Sequence, residues 1–240
     1  MDKLTNYLIK PQSETSVVIY FGDSISEAIL KQITGLNTSL RLSPFDGFIE
    51  SVPAYISLTV IYDPAKVLSA VNLKGDYAFE RVINYLKHLP VSGFQEICAI
   101  SPEPLVIPVC YGGEFGPDIE EVAKHNNITI DELIHLHSTS VYTVYMLGFM
   151  PGFPYLGGMN KLLATPRLNS PRKKVPAGTV GIAGEQTGIY PLQSPGGWQL
   201  IGRTPLKLFD PHHSSPTLLY AGDRLTFSVI SKSQFLELSN

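Results

Sequence analysis

With 240 residues, 44% of them hydrophobic and 10% aromatic, and a mean hydropathy of +0.09, the chain can bury a core without disulfides, which excludes global disorder. Charged residues are only 16%, against an average of about 25%, and the net charge of −3 gives a polyanion no general surface, so a DNA or RNA binder is not expected. At roughly 150 residues per domain the length fits one large or two small domains.

The first ten residues, MDKLTNYLIK, carry Asp2, Lys3 and Lys10 and lack the apolar stretch of a signal peptide, so a cytoplasmic location is expected. Ser16–Phe21 (SVVIYF) is β-branched and aromatic and predicts a strand. A helix should follow, with Ser24 and Glu27 as a capping box and Ile25, Ile29, Ile33 and Leu36 along one face. The extended runs Phe45–Val52 and Ala54–Tyr62 flank Pro53 as a hairpin or a bent edge. Asp63 and Pro64 suit the cap and first position of a helix whose face continues through Phe79, Val82, Ile83 and Leu86 to about Leu89. Phe94–Ile100 reads as a last strand. The order β, α, β, β, α, β is that of a ferredoxin-like domain over residues 1–100.

The prolines of Ser101-Pro102-Glu103-Pro104 stiffen the chain and mark a boundary. A second domain, 101–240, then opens with a strand at Leu105–Tyr111 and two short helices at Pro117–His125 and Thr129–His137. From Val141 onward short apolar runs are cut by glycine and proline, and end in strands at Leu218–Tyr220 and Arg224–Ile230, the punctuation of a compact β-barrel. Ser138–Asn160 contains no charge, but its glycines and prolines break any membrane-spanning helix. The two cysteines, Cys98 and Cys110, are flanked by apolar residues and predict reduced core positions.

The chemistry-bearing region is Gly148–Pro205, which holds 11 of the 20 glycines and 8 of the 19 prolines. It also carries Lys161, Arg167, Arg172, Lys173, Lys174 and Arg203 against the single acid Glu185, a local charge of +5 that leaves −8 for the rest. One reading is barrel corners with a solvated basic rim. The other is an anion or carboxylate site in which glycines admit backbone N–H groups and arginine offers a bidentate fork. Ser194, Gly196, Gly197 and Trp198, with Gly202 and Arg203, are the local candidates. Phe149, Phe153, Tyr155 and Trp198 line either a groove or ordinary barrel core.

The block has no His, Asp or Cys, leaving Glu185, lysines and tyrosines as proton carriers, so a self-contained triad is not expected. The His135/His137 and His212/His213 pairs lack metal-ligand spacing and are assigned to surface or packing, with no metal site. No GxxxxGK[ST] loop occurs.

GFMPGFPYLGGM (148–159), the run from Leu163 to Pro205 and IPVCYGGEFGPDIEEVA (107–123) resemble the family of 5-oxoprolinase B subunits, formerly described as allophanate hydrolase subunit 1. The resemblance spans nearly the whole chain. It implies an α+β protein, an α/β domain followed by a cyclophilin-like β-barrel domain. It also implies a protein, inactive alone, that works with 5-oxoprolinase subunits A and C in the ATP-driven opening of 5-oxoproline to glutamate. The related carboxyltransferase portion of urea carboxylase implies a site shared between two barrels. On this reading Arg167, Arg172, Lys174 and Arg203 hold an anionic substrate or phosphorylated intermediate, and Glu185 shuttles a proton or forms a solvated ion pair. The family further implies a kinase inhibitor of sporulating bacteria that binds a histidine kinase dimerisation domain and blocks autophosphorylation, with Phe149, Phe153 and Trp198 as apolar anchors.

Overall fold

The computed structural model describes residues 7–89 and 103–239. The chain divides into two compact units, Met1–Pro102 and Glu103–Asn240.

The first unit is built on a four-stranded antiparallel sheet in the order β1-β2-β4-β3. Its strands are β1 (Leu8–Ser13), β2 (Ser16–Tyr20), β3 (Phe48–Pro53) and β4 (Ser57–Tyr62). In β4 the sequence alternates and so does its burial, with Leu58, Val60 and Tyr62 buried. These residues pack with Val17 and Ile19 of β2, with Ile33, Leu36 and Leu40 of α1 (Glu27–Leu42), and with Val82 and Leu86 of α3 (Ala78–His88). Sequence periodicity passed over β1 because it is mostly exposed and its apolar residues do not alternate; Pro11 is tolerated there because β1 is an edge. This strand occupies the edge beside β2. The expected strand at 94–100 lies outside the described residues, so the ferredoxin-like plan is not reproduced by what is described.

Two local expectations are corrected. The cap of α1 is Ser26, whose hydroxyl accepts from Ile29 N–H at 3.2 Å, and not Ser24. The single helix expected from Pro64 to Leu89 is two, α2 (Pro64–Ser69) and α3, although Asp63 caps α2 as expected by accepting from Ala65 and Lys66 N–H. The first helix ends where Ala70 turns extended (φ −70°, ψ 124°), and Gly75 in the connection holds φ +144°, where a side chain would be strained. Arg81 then pins the break, donating through Nε to Gly75 O and through Nη1 to Val67, Leu68 and Ala70 O.

The second unit is a closed seven-stranded barrel in the order β10-β7-β6-β13-β5-β12-β9. Its strands are β5 (Leu105–Tyr111), β6 (Tyr142–Leu147), β7 (Pro154–Gly157), β9 (Thr179–Ala183), β10 (Gln186–Ile189), β12 (Gln199–Arg203) and β13 (Arg224–Val229). A separate pair, β8 (Arg172–Val175) and β11 (Ser194–Gly196), forms a two-stranded sheet. The helices α4 (Ile119–His125) and α5 (Ile130–Thr139), the latter capped by Thr129, contribute Ile119, Val122 and Leu133 to the barrel core. The unpredicted α6 (Lys232–Leu238) follows β13. Leu218–Tyr220 is not a strand: only the Phe209–Thr217 bridge forms nearby, and Asp223 accepts from Tyr220 N–H to make a turn through Gly222. The uncharged run 138–160 is the end of α5, two barrel strands and their loop, and no described helix is long and apolar enough to cross a membrane. Cys110 is a buried free thiol, while Cys98 lies outside the described residues.

His137 is fully buried against Phe227, with ring centroids 4.6 Å apart. Thr187 donates to Gly181 O, so its oxygen accepts from His137 Nε2–H at 3.0 Å; Nδ1 accepts from the Tyr111 hydroxyl at 2.8 Å. The ring is satisfied as a neutral tautomer, and burial pushes its pKa down to about 3. Unfolded, the same ring takes its proton near 6.5, so the unfolded state binds the extra proton between those values. Stability from this group is therefore complete above pH 6.5 and declines as the pH falls toward 3, by about 1.4 kcal/mol per pH unit once the unfolded ring is charged. His137→Gln should lower stability at pH 7 yet flatten the decline between pH 6 and 4, as measured by urea unfolding; an unchanged slope would refute the neutral buried ring.

Candidate functional site

Arg167, Arg172, Lys173 and Lys174 lie on or beside the β8–β11 sheet, next to the cluster of Phe153, Tyr190 and Trp198. The register pairs Ser194 with Val175 and Gly196 with Arg172. Val175, Ala183 and Leu200 pack with Phe153, Tyr190 and Trp198, and Phe153 sits at the centre. Its ring centroid lies 4.9 Å from Tyr155, 5.2 Å from Tyr190, 5.4 Å from Trp198 and 5.6 Å from Phe149.

Two of the expected apolar anchors are therefore core. Phe153 and Trp198 are buried and Tyr155 half-buried, because edge-to-face packing around Phe153 consumes their surfaces. Phe149 is different. It is 63% exposed and holds φ at +65°, a conformation that costs a non-glycine residue about 1–3 kcal/mol. The loop enforces it: Gly148 N–H donates to Phe153 O, Met150 N–H to Gly148 O and Phe153 N–H to Met150 O.

The basic residues separate into three environments. Arg167 is exposed and lies over the Trp198 ring, 5.9 Å from its centroid. Lys173 and Lys174 are exposed on β8 and make no ion pair among the described residues. Arg172 is instead committed to structure: its Nη2 lies 2.5 Å from Asp118 Oδ1, while Asp118 Oδ2 accepts from Leu200 N–H at 2.6 Å. Its Nη1 remains buried without a partner.

Arg203 does not join this group. It lies four residues beyond Gln199 on β12, about 13 Å along a strand. There it stacks on Phe115 at 5.7 Å, near the Glu114–Lys232 ion pair, with its Nε buried and unpaired; burial lowers its pKa. Glu185 is exposed in the β9–β10 turn and has no bonding partner among the described residues, so nothing positions it for proton transfer. Ser194 Oγ donates to its neighbour Pro195 O, and Gly197 O accepts from Leu168 N–H, so both are engaged in local structure around the β8–β11 sheet. A side chain at Gly196 would collide with the Tyr190 ring, which makes this glycine a packing requirement.

Sequence reasoning missed Asp118 and Tyr190. No spacing relates Asp118 to Arg172, 54 residues away, and Asp118 reads locally as an ordinary helix start. The buried Tyr190 hydroxyl accepts from Trp198 N–H; burial raises its pKa, opposed by that bond and by Arg167 and Arg172. It is the titratable hydroxyl that faces the basic end, signalled in the sequence only by a tyrosine beside proline. Among the described residues no three His, Cys, Asp or Glu side chains form a metal-binding group.

The family described as "Carboxyltransferase domain, subdomain C and D" matches residues 7–219. The chain is 46% identical to the 5-oxoprolinase B subunit of Bacillus subtilis (strain 168), over 95% of each chain. It is 41% identical to the 5-oxoprolinase B subunit of Escherichia coli O157:H7, over 95% of this chain and 96% of that one. A crystal structure of the protein TTHA0988 is similar at a TM-score of 0.77 and 35% identity, covering 93% of this chain and 40% of that one.

Removing the Asp118 carboxylate leaves Arg172 and Leu200 N–H without their partner. Asp118→Ala should therefore cost the barrel unit about 2–4 kcal/mol, and a midpoint in urea within error of the parent chain would refute the role. Phe149→Gly should leave stability unchanged or raise it by up to about 1 kcal/mol, since it relieves the positive φ; a clear loss on thermal unfolding would show that the ring, not the loop, supports the fold.

Proposed function

The chain belongs to the carboxyltransferase-domain family, subdomains C and D, and within it to the 5-oxoprolinase B subunits, and from this premise we propose that it is the B subunit of an ATP-dependent 5-oxoprolinase, opening 5-oxoproline to glutamate together with subunits A and C. The observation that carries this reading is near-full-length identity to two proteins of that name. The matched segment is 40% of the TTHA0988 chain, which supports a unit that works beside further polypeptide.

In this proposal the chain binds and orients. Arg167, Lys173 and Lys174 draw the 5-oxoproline carboxylate to the β8–β11 sheet, and Arg172, held by Asp118, adds positive charge beside it. Tyr190, within the electrostatic reach of Arg167 and Arg172, donates its hydroxyl proton to the bound anion in this proposal. A companion barrel covers the Phe149 loop and closes the site against water.

Side-chain caps already occupy the starts of α1, α2, α5 and α6 through Ser26, Asp63, Thr129 and Ser231, and Asp118 at the start of α4 holds Arg172, which leaves these helix N-termini poor phosphate cradles. We assign ATP to a companion polypeptide of the complex.

Arg167→Ala, an exposed change, should leave the melting temperature intact and lower 5-oxoproline turnover of the reconstituted complex by about tenfold, mainly through KM. Unchanged turnover would remove the basic end from the site. Deletion of this gene alone should abolish turnover in extracts, with recovery on restoring it in trans; persistence of turnover would overturn the assignment to the complex. The second proposal, inhibition of a histidine kinase through its dimerisation domain, is favoured by the exposure of Phe149 alone. Stoichiometric chain without companion polypeptides should then suppress autophosphorylation, and Phe149→Gly should not.

A further inference from the structure

The first unit holds a cavity of about 650 Å³, within the usual range of roughly 300–1,000 Å³ for small-molecule sites. Leu73, Tyr85 and Leu89 supply its apolar wall. Its polar lining is one-sided in charge: Lys74, Arg81 and His88 contribute, and no carboxylate does among the described residues. The nearby Glu80 is turned to the start of α3, where it accepts from Asp76 and Tyr77 N–H.

The donors are both free and fixed. Arg81 spends Nε and Nη1 on four carbonyl oxygens of the α2–α3 connection, which immobilises the guanidinium, while Nη2 makes no bond among the described residues. Lys74 has no ion-pair partner among the described residues, and its carbonyl is held by Asn84 Nδ2 at 3.0 Å. His88 Nδ1 donates to Asn84 O, leaving Nε2 available. The Asn72 side chain likewise makes no hydrogen bond, and the Tyr85 ring is anchored by its hydroxyl, which donates to Ser43 O. The pinned Arg81 guanidinium, beside an apolar wall, loses little freedom on binding.

We propose that this cavity is a second binding site, taking a small organic carboxylate with an apolar body: the carboxylate meets Lys74 Nζ and Arg81 Nη2, and the body lies against Tyr85 and Leu73. The site does not depend on the proposed 5-oxoprolinase role. Benzoate is the probe, titrated into the full isotope-labelled chain and followed by amide resonance shifts. Benzoate should shift Leu73, Lys74, Arg81 and Asn84, and uncharged benzamide should bind at least about tenfold more weakly. Lys74→Gln, a change at an unpaired surface ammonium, should weaken benzoate by about tenfold without altering the melting temperature. Arg81 is left in place because it holds the α2–α3 connection together. No shift with benzoate, equal binding of benzamide, tighter binding of inorganic phosphate, or shifts centred on Arg167 and Lys174 would each overturn the proposal.

Discussion

The basic end of the second unit depends on one carboxylate. Asp118 stands at the start of α4 and takes the Arg172 guanidinium on one oxygen and Leu200 N–H on the other, while its own N–H donates to Leu200 O. Three segments distant in sequence, α4, β8 and β12, are thereby fixed to one another. The close passage of chain beside it reinforces the arrangement: a side chain at Gly116 would run into the Ile201 carbonyl, so only glycine lets the β5–α4 turn approach β12. Because Asp118 is buried and Arg172 half-buried, the pair acts as a positional constraint more than as a source of net stability.

From that constraint follows a division among groups that look equivalent in the sequence. Arg172 is tethered, Arg167 rides on Trp198, Lys173 and Lys174 are exposed to solvent, and Arg203 belongs to a different cluster with Phe115. The aromatics divide likewise. Phe153 organises a core of rings, and Phe149 is held outside it with a backbone conformation that the loop hydrogen bonds impose. An exposed ring in a strained loop beside a basic surface is what a companion polypeptide can grip. The barrel interior, by contrast, is closed by the chain of bonds from Tyr111 through His137 to Thr187, in which each donor has one acceptor and no charge is required.

Legibility in the sequence tracked the range of the physical signal. The extended run Ala54–Tyr62, the Asp63-Pro64 helix start and the helix at Thr129–His137 are local, and each was readable from a few adjacent residues. β1 was not, because an edge strand buries too little to impose a pattern. The break between α2 and α3 was hidden behind a continuous apolar rhythm; it falls where Ala70 turns extended, and Arg81 holds the connection by gathering four of its carbonyls. Leu218–Tyr220 has the composition of a strand, yet a turn centred on Asp223 claims its backbone.

By itself the sequence determined that the chain folds around a real core, that its glycine, proline and positive charge concentrate between residues 148 and 205, and that it belongs with the 5-oxoprolinase B subunits. The first two follow from composition and from short-range patterns, which act within a few residues of where they are read; the third rests on similarity along nearly the whole chain. Only the tertiary structure decided which arginines are tethered and which are exposed, which aromatics are core, and that Asp118 and Tyr190 stand among the basic residues. The reason is that burial and ion pairing are properties of packing: the partner of Arg172 is 54 residues away, and nothing local in the chain records that distance closing.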